Sequence, residues 1–208
     1  MKNWLSIALI IGLTGGVSMA LANDGNQTAG RETATFAGGC FWCMQPPFEH
    51  LPGVISTTVG YTGGTTDHPT YEEVSTGSTG HAESVEVIYD PTRVSYTQLL
   101  DVFWKNIDPT VVNRQFADGG TQYRTAIFFH TEEQKHLAFE SKKKLEKSGK
   151  YEGKPIVTQI VPAGKFWQAE EYHQHYAEKS TLHYQLYRAG SGREDYIRRT
   201  WGDEAADH

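Results

Sequence analysis

Two adjacent glycines, Gly38 and Gly39, followed at once by Cys40 and then by Cys43, most constrain what this chain can fold into. Residues 32–36 ahead of them read as a short strand, and a glycine pair permits a tight turn through backbone angles closed to other residues. Residues 40–50 read as a helix whose first turn carries both cysteines of the protein. Pro46 and Pro47 must then sit in or near that turn, or kink the helix. A thiol at a helix start faces unpaired N–H groups and the positive end of the helix dipole, and both favour its thiolate. Cys40 is a candidate nucleophile on position alone.

The N-terminus bears on how the two cysteines are read. Lys2, the apolar run 5–17 and Ala20-Leu21-Ala22 have the layout of a cleavable signal peptide. The expected organisation is a signal peptide over 1–22, a flexible arm over 23–31, and one catalytic domain over 32–208 with an irregular C-terminal tail. Cleavage would leave the mature protein periplasmic or otherwise exported, with no stable membrane association. An uncleaved membrane anchor is the second reading, because the apolar run approaches the lower limit for a span. In an oxidising compartment two cysteines ordinarily mean one structural disulfide. A Cys40–Cys43 bridge, however, closes a loop too small to restrain the unfolded chain much, so the spacing favours redox chemistry.

A chain of 208 residues suffices for one domain with a sizeable core. Its formal charge of −6, with no basic stripe beyond Lys142-Lys143-Lys144, argues against a nucleic-acid partner. After the first helix, Leu51-Pro52-Gly53 is a stop signal, and residues 54–61 and 81–90 alternate as strands. Between them residues 62–80 form a long Thr- and Gly-rich loop. Ser95 with Gln98 and Thr131 with Gln134 read as capping boxes, opening helices through Trp104 and to about Ser148. A second long loop covers 107–122, strands follow at 123–129 and 155–161, a polar helix at 168–179, and residues 180–208 give no pattern. This order predicts an α/β (α+β) fold: a two-layer sandwich of helices on a mixed, mostly antiparallel sheet.

Unusual polar residues gather where loops meet these elements. They are the Cys40 turn, Pro69-Thr70-Tyr71, Gly80-His81-Ala82-Glu83 and Asp118-Gly119-Gly120-Thr121-Gln122-Tyr123-Arg124. Glu83, at the mouth of a strand, would be held protonated by burial and suits a general acid. Tyr71 and Tyr123 offer hydroxyl donors, and Phe41 and Trp42 an apolar wall. His173 and His175, two residues apart, point to different faces of a helix, which favours a solvated polar helix over a metal site.

The motifs Gly39-Cys40-Phe41-Trp42, Gly60-Tyr61-Thr62-Gly63-Gly64, Pro69-Thr70-Tyr71, Thr79-Gly80-His81-Ala82-Glu83 and Gly120-Thr121-Gln122-Tyr123-Arg124 carry a resemblance. In this order and spacing the chain resembles the A-type peptide methionine sulfoxide reductases, which reduce the S epimer of methionine sulfoxide. The resemblance implies a ferredoxin-like core, with Cys40 as nucleophile and Glu83 as the acid that protonates the departing oxygen. It implies that Tyr71 and Tyr123 hold that oxygen, that Phe41 and Trp42 wall the substrate methyl, and that Asp118 orients its polar groups. It further implies no metal and no cofactor beyond an external, thioredoxin-like thiol reductant, with methionine sulfoxide in peptides and proteins as substrate and a monomeric enzyme.

Many relatives resolve the resulting sulfenic acid with tail cysteines, but in this chain no cysteine follows Cys43. Cys43 is the sole internal candidate, and three residues apart on a helical turn the two sulfurs lie on one face. Gln45 stands where many relatives carry Glu and Phe116 where many carry Gly, substitutions expected to tune capping and loop packing. Two other classes compete. A thioredoxin-like disulfide oxidoreductase also carries C-x-x-C before a helix, but has no need of Glu83 or Tyr71. A soft-metal-binding module would have only two thiolates and an incomplete site.

Overall fold

The computed structural model describes Met1 and residues 30–202; the rest of the expected signal peptide and the arm over 23–29 lie outside the described residues. Eight strands are present among the described residues: β1 (Glu32–Gly38), β2 (Val54–Thr62), β3 (Ala82–Tyr89), β4 (Arg114–Gln115), β5 (Asp118–Gly119), β6 (Thr125–Phe129), β7 (Gln159–Pro162) and β8 (Trp167–Gln168). The helices are α1 (Phe41–Glu49), α2 (Tyr71–Ser75), α3 (Tyr96–Lys105), α4 (Glu132–Lys147), α5 (Tyr176–Lys179), α6 (Thr181–Gly190) and α7 (Arg193–Trp201).

Six strands form one sheet in the order β7-β6-β1-β3-β2-β8, and β4 pairs with β5 apart from it. Every neighbouring pair in the large sheet is antiparallel except β6 with β7. Within it, β6-β1-β3-β2 joined by α1 and α3 is the ferredoxin-like arrangement that the resemblance implies. Both crossovers put their helices on one face, where alternate residues of β1 and β3 point. Ala34, Phe36, Val85, Val87 and Tyr89 pack there against Phe48 of α1 and Leu99, Leu100 and Phe103 of α3. Phe36 stacks on Phe48 at 5.1 Å and on Phe103 at 5.2 Å between ring centroids. The pairing of Tyr61 with Glu83 and of Gly38 with Thr125 brings the end of β2, the start of β3 and the end of β1 to one edge of the sheet.

The structure corrects several expectations. The loop 62–80 contains α2, opened by a capping box in which Thr70 caps Glu73 N–H and the Glu73 carboxylate caps Thr70 N–H. Thr131 does cap Gln134 N–H, but the Gln134 side chain accepts from His130 N–H and donates to the Thr33 carbonyl. That pair is a tether between α4 and β1 rather than a capping box. The helix expected over 168–179 is instead β8, a 3-10 turn at Glu171–His173 and the short α5, because His175 adopts a left-handed backbone at φ 52°. Residues expected to be irregular after 180 form α6 and α7.

Candidate active site

Cys40 is the N-cap of α1, at the edge where β1 ends. Gly39 just before it has φ +84°, and a Cβ there would lie 2.5 Å from the Gln115 Cβ, so only glycine makes this turn without strain. Both cysteines are free thiols, Cys40 6% and Cys43 1% exposed. The Cys43 N–H donates to the Cys40 carbonyl at 3.0 Å, which closes the turn and draws the two sulfurs together. Burial, then the hydrogen bond to Cys43 and the charge of Glu83, pushes the Cys40 thiol well up. Cys43 moves the other way, to about 6, through the hydrogen bond from Cys40 and the charges of Arg193 and Arg188, with burial opposing. The start of α1 by itself favours the Cys40 thiolate. Burial of the Cys40 thiol opposes that advantage.

Glu83 sits on β3 directly behind this turn. Its carboxylate accepts the Phe41 N–H at 3.0 Å, one of the orphan donors of the first helical turn. At 3% exposure its desolvation dominates that bond, and the carboxyl is raised to about 8. Tyr71, the first residue of α2, and Tyr123, at the end of a 3-10 turn, both feel the Glu83 charge. Burial first and that charge second raise both phenols, so their hydroxyls remain donors. Asp118 lies on β5, raised by burial, and accepts the Tyr187 hydroxyl at 2.5 Å. Burial, then the charge of Cys40 and the bond to Asp118, keeps the Tyr187 hydroxyl protonated. Cys40, Cys43, Glu83, Tyr71, Tyr123 and Asp118 thus converge at one edge of the sheet.

The two aromatic residues have different places. Phe41 is buried and packs inward against Tyr61 and His173, so it backs the wall and does not face solvent. Trp42 is partly exposed, with its ring stacked at 3.9 Å on Tyr176 and edge-on to Tyr187.

Several residues of the site carry no motif the sequence reading used. His173 is buried, not solvated: its Nδ1 accepts the Trp42 indole N–H at 3.0 Å, which fixes the indole plane. Glu170 takes the Tyr71 N–H and the Tyr61 hydroxyl, tying the start of α2 to β2. Tyr187, Arg188 and Arg193 arrive from α6 and α7. Gln45 bridges Thr57 and the His175 N–H from inside α1, and Phe116 holds a left-handed backbone at φ 53°, a conformation that glycine takes freely.

A buried dithiol at a helix start, a neutral carboxyl beside it and an aromatic wall define a thiol-redox centre. The family model for peptide methionine sulfoxide reductase matches residues 32–205. Proteins named peptide methionine sulfoxide reductase MsrA from Bacillus pumilus and Bacillus subtilis are each 52% identical to the chain. Their alignments cover 84% and 83% of this chain and 98% and 97% of theirs. Among solved structures, yeast Mxr1 in reduced form shares 34% identity and a TM-score of 0.69 over 74% of this chain and 87% of that one. Methionine sulfoxide reductase A of Corynebacterium diphtheriae shares 38% identity and a TM-score of 0.66 over 74% and 76%. Mxr1 has also been solved in complex with Trx2, a form that shares the fold at 24% identity and a TM-score of 0.50, over 72% of this chain and 86% of that one. The chain belongs to the peptide methionine sulfoxide reductase family and is an oxidoreductase.

Proposed function

We propose that this enzyme reduces the S epimer of methionine sulfoxide, free or in proteins, with Cys40 as nucleophile and Glu83 as proton donor. The observation that carries this reading is the neutral, buried Glu83 carboxyl held by the N–H next to Cys40. A carboxylic acid raised to about 8 can give a proton at neutral pH, and the sulfoxide oxygen must accept one as it departs. Tyr71 and Tyr123 donate hydrogen bonds to that oxygen, Trp42 flanks the substrate methyl with Phe41 behind it, and Asp118 with Tyr187 orients the substrate's polar groups. Cys40 sulfur attacks the sulfoxide sulfur, Glu83 protonates the oxygen, and the proton Cys40 gives up restores Glu83. The net change is thiol plus sulfoxide to sulfenic acid plus thioether.

Cys43 thiolate then attacks the Cys40 sulfenic sulfur. The S–S bond forms, the S–O bond breaks and the oxygen leaves as water. An external thioredoxin-like protein restores both thiols, and no bound cofactor takes part. The complex of Mxr1 with Trx2 supports the choice of donor. The leader-like segment 1–22 supports export, and with it the repair of oxidised exported proteins by a monomeric catalytic domain. Turnover of the two epimers with dithiothreitol tests the assignment in the parent, Cys40→Ser and Glu83→Gln. Activity on the S epimer, abolished in Cys40→Ser and strongly reduced in Glu83→Gln, is expected; activity confined to the R epimer overturns it. For export, the mass of the protein recovered from the periplasm should match cleavage after Ala22.

A further inference from the structure

Tyr71 and Trp42 come from different elements, and one carboxylate bears on both. Glu170 leads into the 3-10 turn at Glu171–His173. Its Oε1 accepts the N–H of Tyr71, the first residue of α2, at 2.9 Å. That N–H is one the capping box leaves over, since Thr70 and Glu73 satisfy only each other's backbone. Glu170 Oε2 accepts the Tyr61 hydroxyl of β2 at 2.8 Å. Tyr61 in turn pairs with Glu83 across the sheet and packs on Phe41 at 6.0 Å between ring centroids.

The same carboxylate faces His173, a buried ring in contact with Tyr71 at 4.4 Å and Phe41 at 5.0 Å. Burial holds the His173 pKa below the usual histidine range, against the pull of Glu170 and Glu72, so the ring is neutral. A neutral imidazole has one donor and one acceptor. Nδ1 is the acceptor, because it takes the Trp42 indole N–H, so the proton sits on Nε2. Nε2 has no hydrogen-bond partner among the described residues, and Glu170 Oε2 lies 4.0 Å away. The negative carboxylate favours this tautomer, which leaves Nδ1 open to Trp42. Tyr71 and Trp42 are thus both held from Glu170, one through its backbone and the other through His173.

We propose that Glu170 is a positioning residue that sets epimer choice, by keeping the Tyr71 hydroxyl and the Trp42 indole in fixed relation. This rests on the reading of Tyr71 as a holder of the sulfoxide oxygen and of Trp42 as the methyl wall. A sulfoxide sulfur is pyramidal, carrying oxygen, methyl, a side-chain carbon and a lone pair. With Cys40 attacking along one line, exchanging the epimers exchanges the places of oxygen and methyl. The R epimer would set its methyl against the tyrosine hydroxyls and its oxygen against the indole, leaving polar groups unpaired. Discrimination then depends on how rigidly the two sites are spaced.

Racemic N-acetylmethionine sulfoxide, reduced by the intact protein with dithiothreitol, tests this. Chiral chromatography of the residual substrate gives the S-to-R ratio of kcat/KM in one reaction. A displacement of about 1 Å at a reacting centre can cost on the order of a hundredfold. Glu170→Ala should lower the S-epimer rate by that order and the R-epimer rate much less, so the ratio falls about tenfold or more. Glu170→Gln keeps an oxygen for the Tyr71 N–H but loses the charge facing His173, so its ratio should lie between alanine and parent. Glu171→Gln removes the neighbouring exposed carboxylate, which pairs with Lys179, and should match the parent. The Trp42 indole N–H resonance, identified by its loss in Trp42→Phe, should shift in both Glu170 variants. A parental ratio in a folded Glu170→Ala, with both epimers slowed equally or neither slowed, overturns the proposal. So does an indole resonance that stays in place, or a Glu171→Gln ratio that falls as far. If Glu170→Ala does not fold, the isosteric glutamine variant decides, and a parental ratio there overturns the proposal. If the parent itself consumes the R epimer first, the S-epimer assignment fails first.

Discussion

At the residue scale, the consequences concentrate on Glu83. Its raised carboxyl keeps the proton donor available at neutral pH, so kcat/KM should fall as pH rises through about 8, where Glu83 ionises. The same shift bears on stability. The folded state binds a proton that the unfolded state releases near 4.5, so this group costs stability progressively as pH climbs from there to about 8. Glu83→Gln keeps an acceptor for the Phe41 N–H and removes that cost. It should lower activity about a hundredfold or more, yet raise the unfolding free energy at pH 7 by roughly 3 kcal/mol, as read from denaturant melts. A variant that is both inactive and less stable would contradict this account of Glu83. For the second thiol, Cys43→Ser should release one equivalent of methionine and then stall with a thioredoxin-type reductant, which a burst assay reads directly. Cys40 and Glu83 were legible from sequence because each stands in a short local pattern. His173 was not, because its role is a bond to Trp42 across 131 positions, and spacing on a supposed helix hid its burial.

At the element scale, the start of α1 matters most. Gly39→Ala places a Cβ at 2.5 Å from Gln115 in a left-handed conformation. Backbone strain and overpacking together should cost about 2 to 4 kcal/mol, measurable by urea unfolding. The strands β1, β2 and β3 were legible because alternation and β-branching mark half-buried strands, and α3 because Ser95 and Gln98 cap it reciprocally. The capping box of α2 was equally visible in Thr70 and Glu73, but the Thr- and Gly-rich surroundings read as loop. Helices α6 and α7 escaped for a physical reason. Neither has a side-chain cap, α7 starts from a left-handed Gly192, and Leu182 and Leu186 of α6 are exposed rather than aligned on a core.

At the scale of the whole molecule, the sheet order collects one edge from distant parts of the chain, and the C-terminal helices close over it. Arg188 reaches the Cys43 carbonyl across 145 positions and Arg193 the Gly38 carbonyl across 155, so no local pattern could announce them. Truncation after Ser180 removes both, and Tyr187 with them, without removing a cysteine. With the Tyr187 hydroxyl no longer on Asp118, the first step should slow, while circular dichroism on the truncated protein checks that the sheet persists. A truncated enzyme that releases methionine at the parent rate would contradict the role of Tyr187 with Asp118 in holding the substrate. The central claim is that Cys40 takes the oxygen of S-methionine sulfoxide and Cys43 releases it as water. One equivalent of that epimer, added to reduced enzyme without any other thiol, tests it by intact-mass spectrometry. One methionine released and a protein lighter by two hydrogens, bridged between Cys40 and Cys43, is the predicted result. A protein heavier by one lasting oxygen, or one unchanged, would contradict it.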